Sequence, residues 1–194
     1  MDEEWRALVE RLRAESGGTA AYERLVAADG DERLADVLTA PGQPLWAREL
    51  AAFRLGLAGD RRAFEALVLL LNHRDPQRCA SAAHALARLG DPRTARAAAA
   101  LATNELRAAY ALHPVRLLVA LRAPEAVPAL ITTLRRRLAP RDPYRRVALA
   151  CVDGLGTLGD PRAAPVLTEA LAHPALAEAA VNALGRIPQQ RSRG

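Results

Sequence analysis

The spacing with the most chemical promise is Gly154-Leu155-Gly156-Thr157-Leu158-Gly159, which fits the G-x-G-x-x-G of a dinucleotide cradle. That cradle works between a strand and a helix N-terminus, where backbone amides face a pyrophosphate. Here the glycines close an apolar helical pattern and align with Ala85-Leu86-Ala87-Arg88-Leu89-Gly90, so the expectation is a helix end. Cys79 and Cys151 lie near positions that the repeat described below fills with alanine, where small thiols serve packing. His84 is five residues from Cys79, on a different helical face, which argues against a shared metal. His73 and His173 fall near helix C-termini, where positive charge is welcome. No H-E-x-x-H, paired C-x-x-C, P-loop or G-x-S-x-G occurs, and Ser16, Ser81 and Ser192 are the only serines. These observations predict no catalytic residue, no cofactor and no metal.

One charged cluster invites a binding role. Arg135, Arg136, Arg137, Arg141, Arg145 and Arg146 crowd one joint of the chain with Asp142 as the nearby acid. Such a cluster could grip phosphates or an acidic partner; it also suits a solvated helix end whose cations complement the dipole. The net charge of +5 is weaker information. All 27 basic residues are arginine, a bias that a GC-rich bacterial genome writes by codon usage, and arginine never deprotonates.

The elements that must position these residues come from an internal repeat. Ala83-x-x-Leu86-x-x-Leu89-Gly90-Asp91-Pro92-Arg93 aligns with Val152-x-x-Leu155-x-x-Leu158-Gly159-Asp160-Pro161-Arg162. A worn copy ends at Ala58-Gly59-Asp60, and another carries Ala123-Pro124-Glu125-Ala126. Periods of 31, 32 and 37 residues mean a stacked array of small units. In the intact joints, glycine stops a helix in the left-handed conformation, aspartate accepts from the next free amides, and proline takes the first helical position. Where Ala123 replaces aspartate, the missing cap costs about 1 kcal/mol. The helix pairs expected are 61–72 with 76–89, 92–103 with 105–121, 124–138 with 142–158, and 161–172 with 174–187, behind a worn leading helix at 44–57. His113-Pro114 should kink or split the helix over 105–121. Nothing calls for a strand.

The first residues fit the repeat poorly. Trp5, Leu8, Val9 and Leu12 mark an amphipathic helix over 2–15, a second helix runs over 19–28, and Asp31 can cap a third. The expected organisation is an N-terminal helical cap over 1–43, repeats over 44–187 and a flexible tail over 188–194. With no long apolar run, no signal-peptide pattern at Met1 and a cysteine count too low for a disulfide framework, a soluble cytoplasmic protein is expected.

The paired helices, the Gly-Asp-Pro-Arg joint and the Ala-Leu-x-x-Leu-Gly ending resemble HEAT repeats, in the short bacterial form of phycobilin lyase-like proteins. The resemblance spans residues 45–187. It implies an all-α fold, an α-solenoid: a right-handed, armadillo/HEAT-like superhelix of antiparallel helix pairs, with the second helix of each pair lining a concave face. It implies little about ligand, because such arrays bind proteins, nucleic acids or cofactors on interchangeable surfaces. In that register one position across the second helices reads Phe53, His84, Arg116, Asp153 and Asn182, flanked by Arg48, Ser81, Arg88, Thr157, Glu178 and Arg186. A column that changes identity at every step is a candidate recognition strip; unconstrained exposed positions would look the same.

The expected function is a non-enzymatic scaffold docking a partner protein of unknown identity on that face, with homo-oligomerisation left open and no membrane role. The alternative is a nucleic-acid-binding protein using arginine contacts to phosphates, similar in outline to HEAT-like alkylpurine DNA glycosylases. Their Trp/Asp lesion arrangement does not carry over, since the only tryptophans are Trp5 and Trp46 in the N-terminal part. A chromophore-handling lyase, which the family name invites, finds no residue set to support it.

Overall fold

A computed structural model describes residues 3–28 and 30–188, and no strand occurs among them. Beyond Pro188, the tail expected over 188–194 lies outside the described residues. The chain divides into two compact units, one ending at Thr94 and the other beginning at Ala95.

The first unit holds α1 (Glu3–Ser16), α2 (Ala20–Val26), α3 (Asp31–Thr39), α4 (Leu45–Ala58), a 3₁₀ turn at Arg61–Ala63, α5 (Phe64–Leu71) and α6 (Pro76–Leu89). Helices α3 and α4 pack as one pair, α5 and α6 as the next, and the second helices α4 and α6 lie side by side. Leu50, Leu55, Leu67, Leu71 and Leu86 fill the core between them. Helix α1 leaves the pair pattern and rests on α4 and α6.

The second unit holds α7 (Thr94–Thr103), a 3₁₀ segment at Glu105–Tyr110, α8 (Leu112–Leu121), α9 (Ala126–Arg137), α10 (Arg145–Leu158), a 3₁₀ turn at Pro161–Ala163, α11 (Ala164–Ala170) and α12 (Ala177–Arg186). Helix α10 packs between α8 and α12, and α9 and α11 cover the other side. Leu118, Leu130, Leu134, Leu155 and Leu167 are buried there. The Thr133 hydroxyl, itself buried, donates to the Ala102 carbonyl at 3.1 Å and ties α9 to α7.

The joints work largely as their residues require. Gly59, Gly90 and Gly159 take φ of 79°, 66° and 67°, the left-handed region open to glycine. Asp60, Asp91 and Asp160 accept from the amides of Arg62, Arg93 and Arg162 at 3.0, 2.9 and 2.8 Å. The arginine of each joint then folds back onto its own aspartate, with Nη2 to Oδ2 distances of 2.6, 2.9 and 2.7 Å. These hydrogen bonds hold the three carboxyls below their ordinary value of 3.8. The residue after each aspartate (Arg61, Pro92 or Pro161) leads into a 3₁₀ or plain turn rather than directly into an α-helix, so α5, α7 and α11 begin later than the cap logic alone predicts.

Three local features depart from an unbroken repeat of capped helices. The helix over 105–121 breaks before Pro114, where Arg107 leaves helical geometry at φ −119°. Pro114 is then the third residue of α8, in the first turn, where an amide would have no helical partner in any case. Asp31 is the first residue of α3 and Gly30 holds the cap position, with no side-chain cap. In the worn third joint, Arg122 occupies the glycine's place at φ 50°, a strained conformation for a residue with a Cβ.

Candidate functional site

The expected recognition column divides between the units. In the first, Phe53 is only 1% exposed and cannot form part of a surface strip. Its ring is stacked between Trp5 of α1 at 6.1 Å and His84 of α6 at 5.8 Å. The reason is α1, which buries Leu8 and Leu12 over this face. Ion pairs fix it there. Glu49 of α4, 1% exposed, accepts from Arg11 of α1, from Arg78 of α6 and from the Ser81 hydroxyl. Arg78 reaches onward to Glu15 of α1 at 2.5 Å and lies 3.7 Å from Asp75. Ser81, expected as a flank of the strip, is therefore part of a buried network, and Arg48 donates to the Ala40 carbonyl at 3.3 Å. Sequence reasoning missed this network. Its signal was an acid, Glu49, set within the largely apolar stretch of a second helix.

In the second unit the column is at the surface. Arg116 on α8 and Asp153 on α10 are exposed and line one open groove of about 360 Å³. Leu112, Arg116 and Val119 repeat at i, i+4 and i+7 along α8 and form one wall. Arg146, Leu149, Asp153 and Thr157 form the other along α10. Arg146 comes from the arginine cluster and Thr157 from the expected flank, so the groove unites residues that the sequence treats as separate features. Asn182 is exposed on α12 but does not line it, as is true of Glu178 and Arg186.

Gly154 is what lets the walls meet. A Cβ there would lie 2.5 Å from Val119 Cγ2 and 2.8 Å from Leu130 Cδ2. At Gly156 a Cβ would fall 2.7 Å from the Ala183 backbone. The glycines of the dinucleotide-like spacing thus serve helix packing and a helix terminus, in the C-terminal half of α10.

The six arginines of the joint do not converge on one site. Arg135 faces Glu169 at 3.9 Å, Arg136 pairs with Glu105 at 3.0 Å, and Arg137 pairs with Asp142 at 2.9 Å. Arg145 donates to the Ala175 carbonyl at 3.3 Å, and Arg141 stands exposed at φ 64°. Arg146 and Arg116 form no ion pair among the described residues. Both act on His113, whose pKa is lowered first by burial and then by these two charges, so the imidazole stays neutral beside them at neutral pH.

Both thiols are buried. Burial pushes Cys151 up to about 12, which keeps it protonated, and the Cys79 thiol donates to the His73 carbonyl at 3.1 Å.

Residues 147–173, which span most of α10, the Gly159-Asp160-Pro161 joint and α11, match the family model of the PBS lyase HEAT-like repeat. The chain therefore carries a HEAT-like repeat over these residues. No curated protein matches the chain. Among the described residues, no helix is long and apolar enough to cross a membrane.

Proposed function

We propose that this HEAT-like repeat protein is a non-enzymatic interaction scaffold and that it docks a partner protein in the groove between α8 and α10. The observation that carries the reading is the groove's composition. Leucine and valine walls supply area to bury, while Arg116, Arg146 and Asp153 supply charges of both signs that form no ion pair among the described residues. Apolar contact with a charged rim is how interfaces combine affinity with selectivity. The remaining arginines of the joint are mostly paired within the chain, which leaves few free cations for a run of phosphates.

The test is affinity capture from the native host with the full chain, followed by Arg116→Ala, Asp153→Ala and His84→Ala. Capture should fall about tenfold or more for the first two. It should hold for His84→Ala, whose ring stacks on the buried Phe53. Unaltered capture by both groove variants would remove the groove from the function. A nucleic-acid role, which draws on exposed Arg116, Arg141 and Arg146, would instead give duplex binding that falls steeply with salt.

A further inference from the structure

The first unit contains a filled version of the surface that stands open in the second. Helices α4 and α6 are neighbouring second helices, as are α8 and α10, and the same repeat position supplies Phe53 and His84 to one face and Arg116 and Asp153 to the other. On the α4–α6 face the occupant is an amphipathic helix, α1. It presents Trp5, Leu8 and Leu12 at i, i+3 and i+7, and it crosses the boundary with paired charges, Arg11 onto Glu49 and Glu15 onto Arg78. The α8–α10 groove has the complementary features without the occupant: Leu112, Val119 and Leu149 for an apolar stripe, Arg116 and Arg146 for an acid, and Asp153 for a base.

We infer that the α8–α10 groove takes an amphipathic helix of the partner, seated by a carboxylate at Arg116 and Arg146 and a cation at Asp153. This rests on the docking reading above and specifies its occupant. The walls are flanks of helices whose backbone groups are already bonded along their own axes, so an occupant has to satisfy its own backbone, as a helix does. Arg146 and Asp153 are seven residues apart, about 10 Å along α10, which sets the acid and base of the occupant about two turns apart.

The test uses the full chain and labelled synthetic peptides of α1's length, 14 residues, read by fluorescence anisotropy. The matched probe carries apolar residues at helical spacing with a glutamate and an arginine two turns apart. A second probe exchanges the two charges, and a third keeps the composition but spaces the apolar residues at period two. The matched probe should bind about tenfold more tightly than either. Arg116→Glu combined with Asp153→Arg, its fold checked by circular dichroism, should reverse the preference to the charge-exchanged probe. Equal binding of the matched and period-two probes, or no reversal, overturns the helix. If capture from the host still depends on Arg116 and Asp153 in that case, the docking reading stands and only the helical occupant falls. If capture is independent of both, the docking reading falls and takes the occupant with it. Self-association of the chain that Arg116→Glu abolishes would identify a second copy as the occupant and overturn the partner assignment.

Discussion

The two units use one repeat framework for opposite ends. Where α1 covers the α4–α6 face, the repeat position holds aromatic Phe53 and His84, and the charges around them are paired within the chain. On the α8–α10 face, which no helix covers among the described residues, the same position holds Arg116 and Asp153, both exposed. A repeat register therefore identifies which side chains share a face. Whether that face is interior or surface depends on an element outside the repeat.

The sharpest way to break the contrast is at Glu49. Glu49→Ala leaves Arg11 and Arg78 without their shared acid beneath α1, and should destabilise the first unit by about 3–5 kcal/mol. Hydrogen exchange read by segment should place the loss in α1, α4 and α6, with the second unit unaffected; uniform loss across the chain would mean that the two units unfold together.

A smaller effect is expected at the packing glycines. Gly156→Ala drives a methyl against the Ala183 backbone, whereas Gly56→Ala meets the Leu67 methyl at 2.9 Å and the Ala85 methyl at 3.0 Å. Overpacking of this kind costs about 1–3 kcal/mol, and the second-unit variant should lie at the upper end because backbone yields less than a side chain. Urea denaturation of both variants checks the order.

The worn joint offers a gain. Arg122→Gly relieves the positive φ and Ala123→Asp restores the cap, together worth about 1–2 kcal/mol to the second unit. A thermal midpoint that fails to rise in the double variant would mean that Arg122 is held by contacts worth as much as its strain.

The smallest effect concerns pH. Hydrogen bonds from Arg62, Arg93 and Arg162 depress Asp60, Asp91 and Asp160, so their contribution is full above the unfolded carboxyl value and drains away as pH falls through the folded ones. The window lies below about pH 4. Two of these joint carboxylates belong to the first unit and one to the second, so acid should loosen the first unit more. Asp60→Asn should flatten part of that loss in denaturation curves recorded from pH 5 to about pH 3.

The helical repeat was legible because its joints are local. Gly90-Asp91-Pro92 fixes backbone conformation, cap and helix start within three residues, and α6 spans the residues its pattern predicts. The break before Pro114 was less legible, since proline marks a place where a helix is weak but also a place where one begins well. Of the candidate sites, Arg116 and Asp153 reached one groove because they share a register on adjacent helices. The arginine cluster dissolved because Arg135, Arg136, Arg137 and Arg145 each found a different acid or carbonyl within reach.

What the sequence determines by itself is periodic and short-range: an all-helical chain, its joints, its buried thiols and the helix end at Gly159. The tertiary structure alone decides that α1 lies over Phe53, that Glu49 has two arginines to balance it, and that Arg146 joins Arg116. Those outcomes turn on contacts between segments tens of residues apart, where nothing in the local spacing fixes which surface a free amphipathic helix will cover.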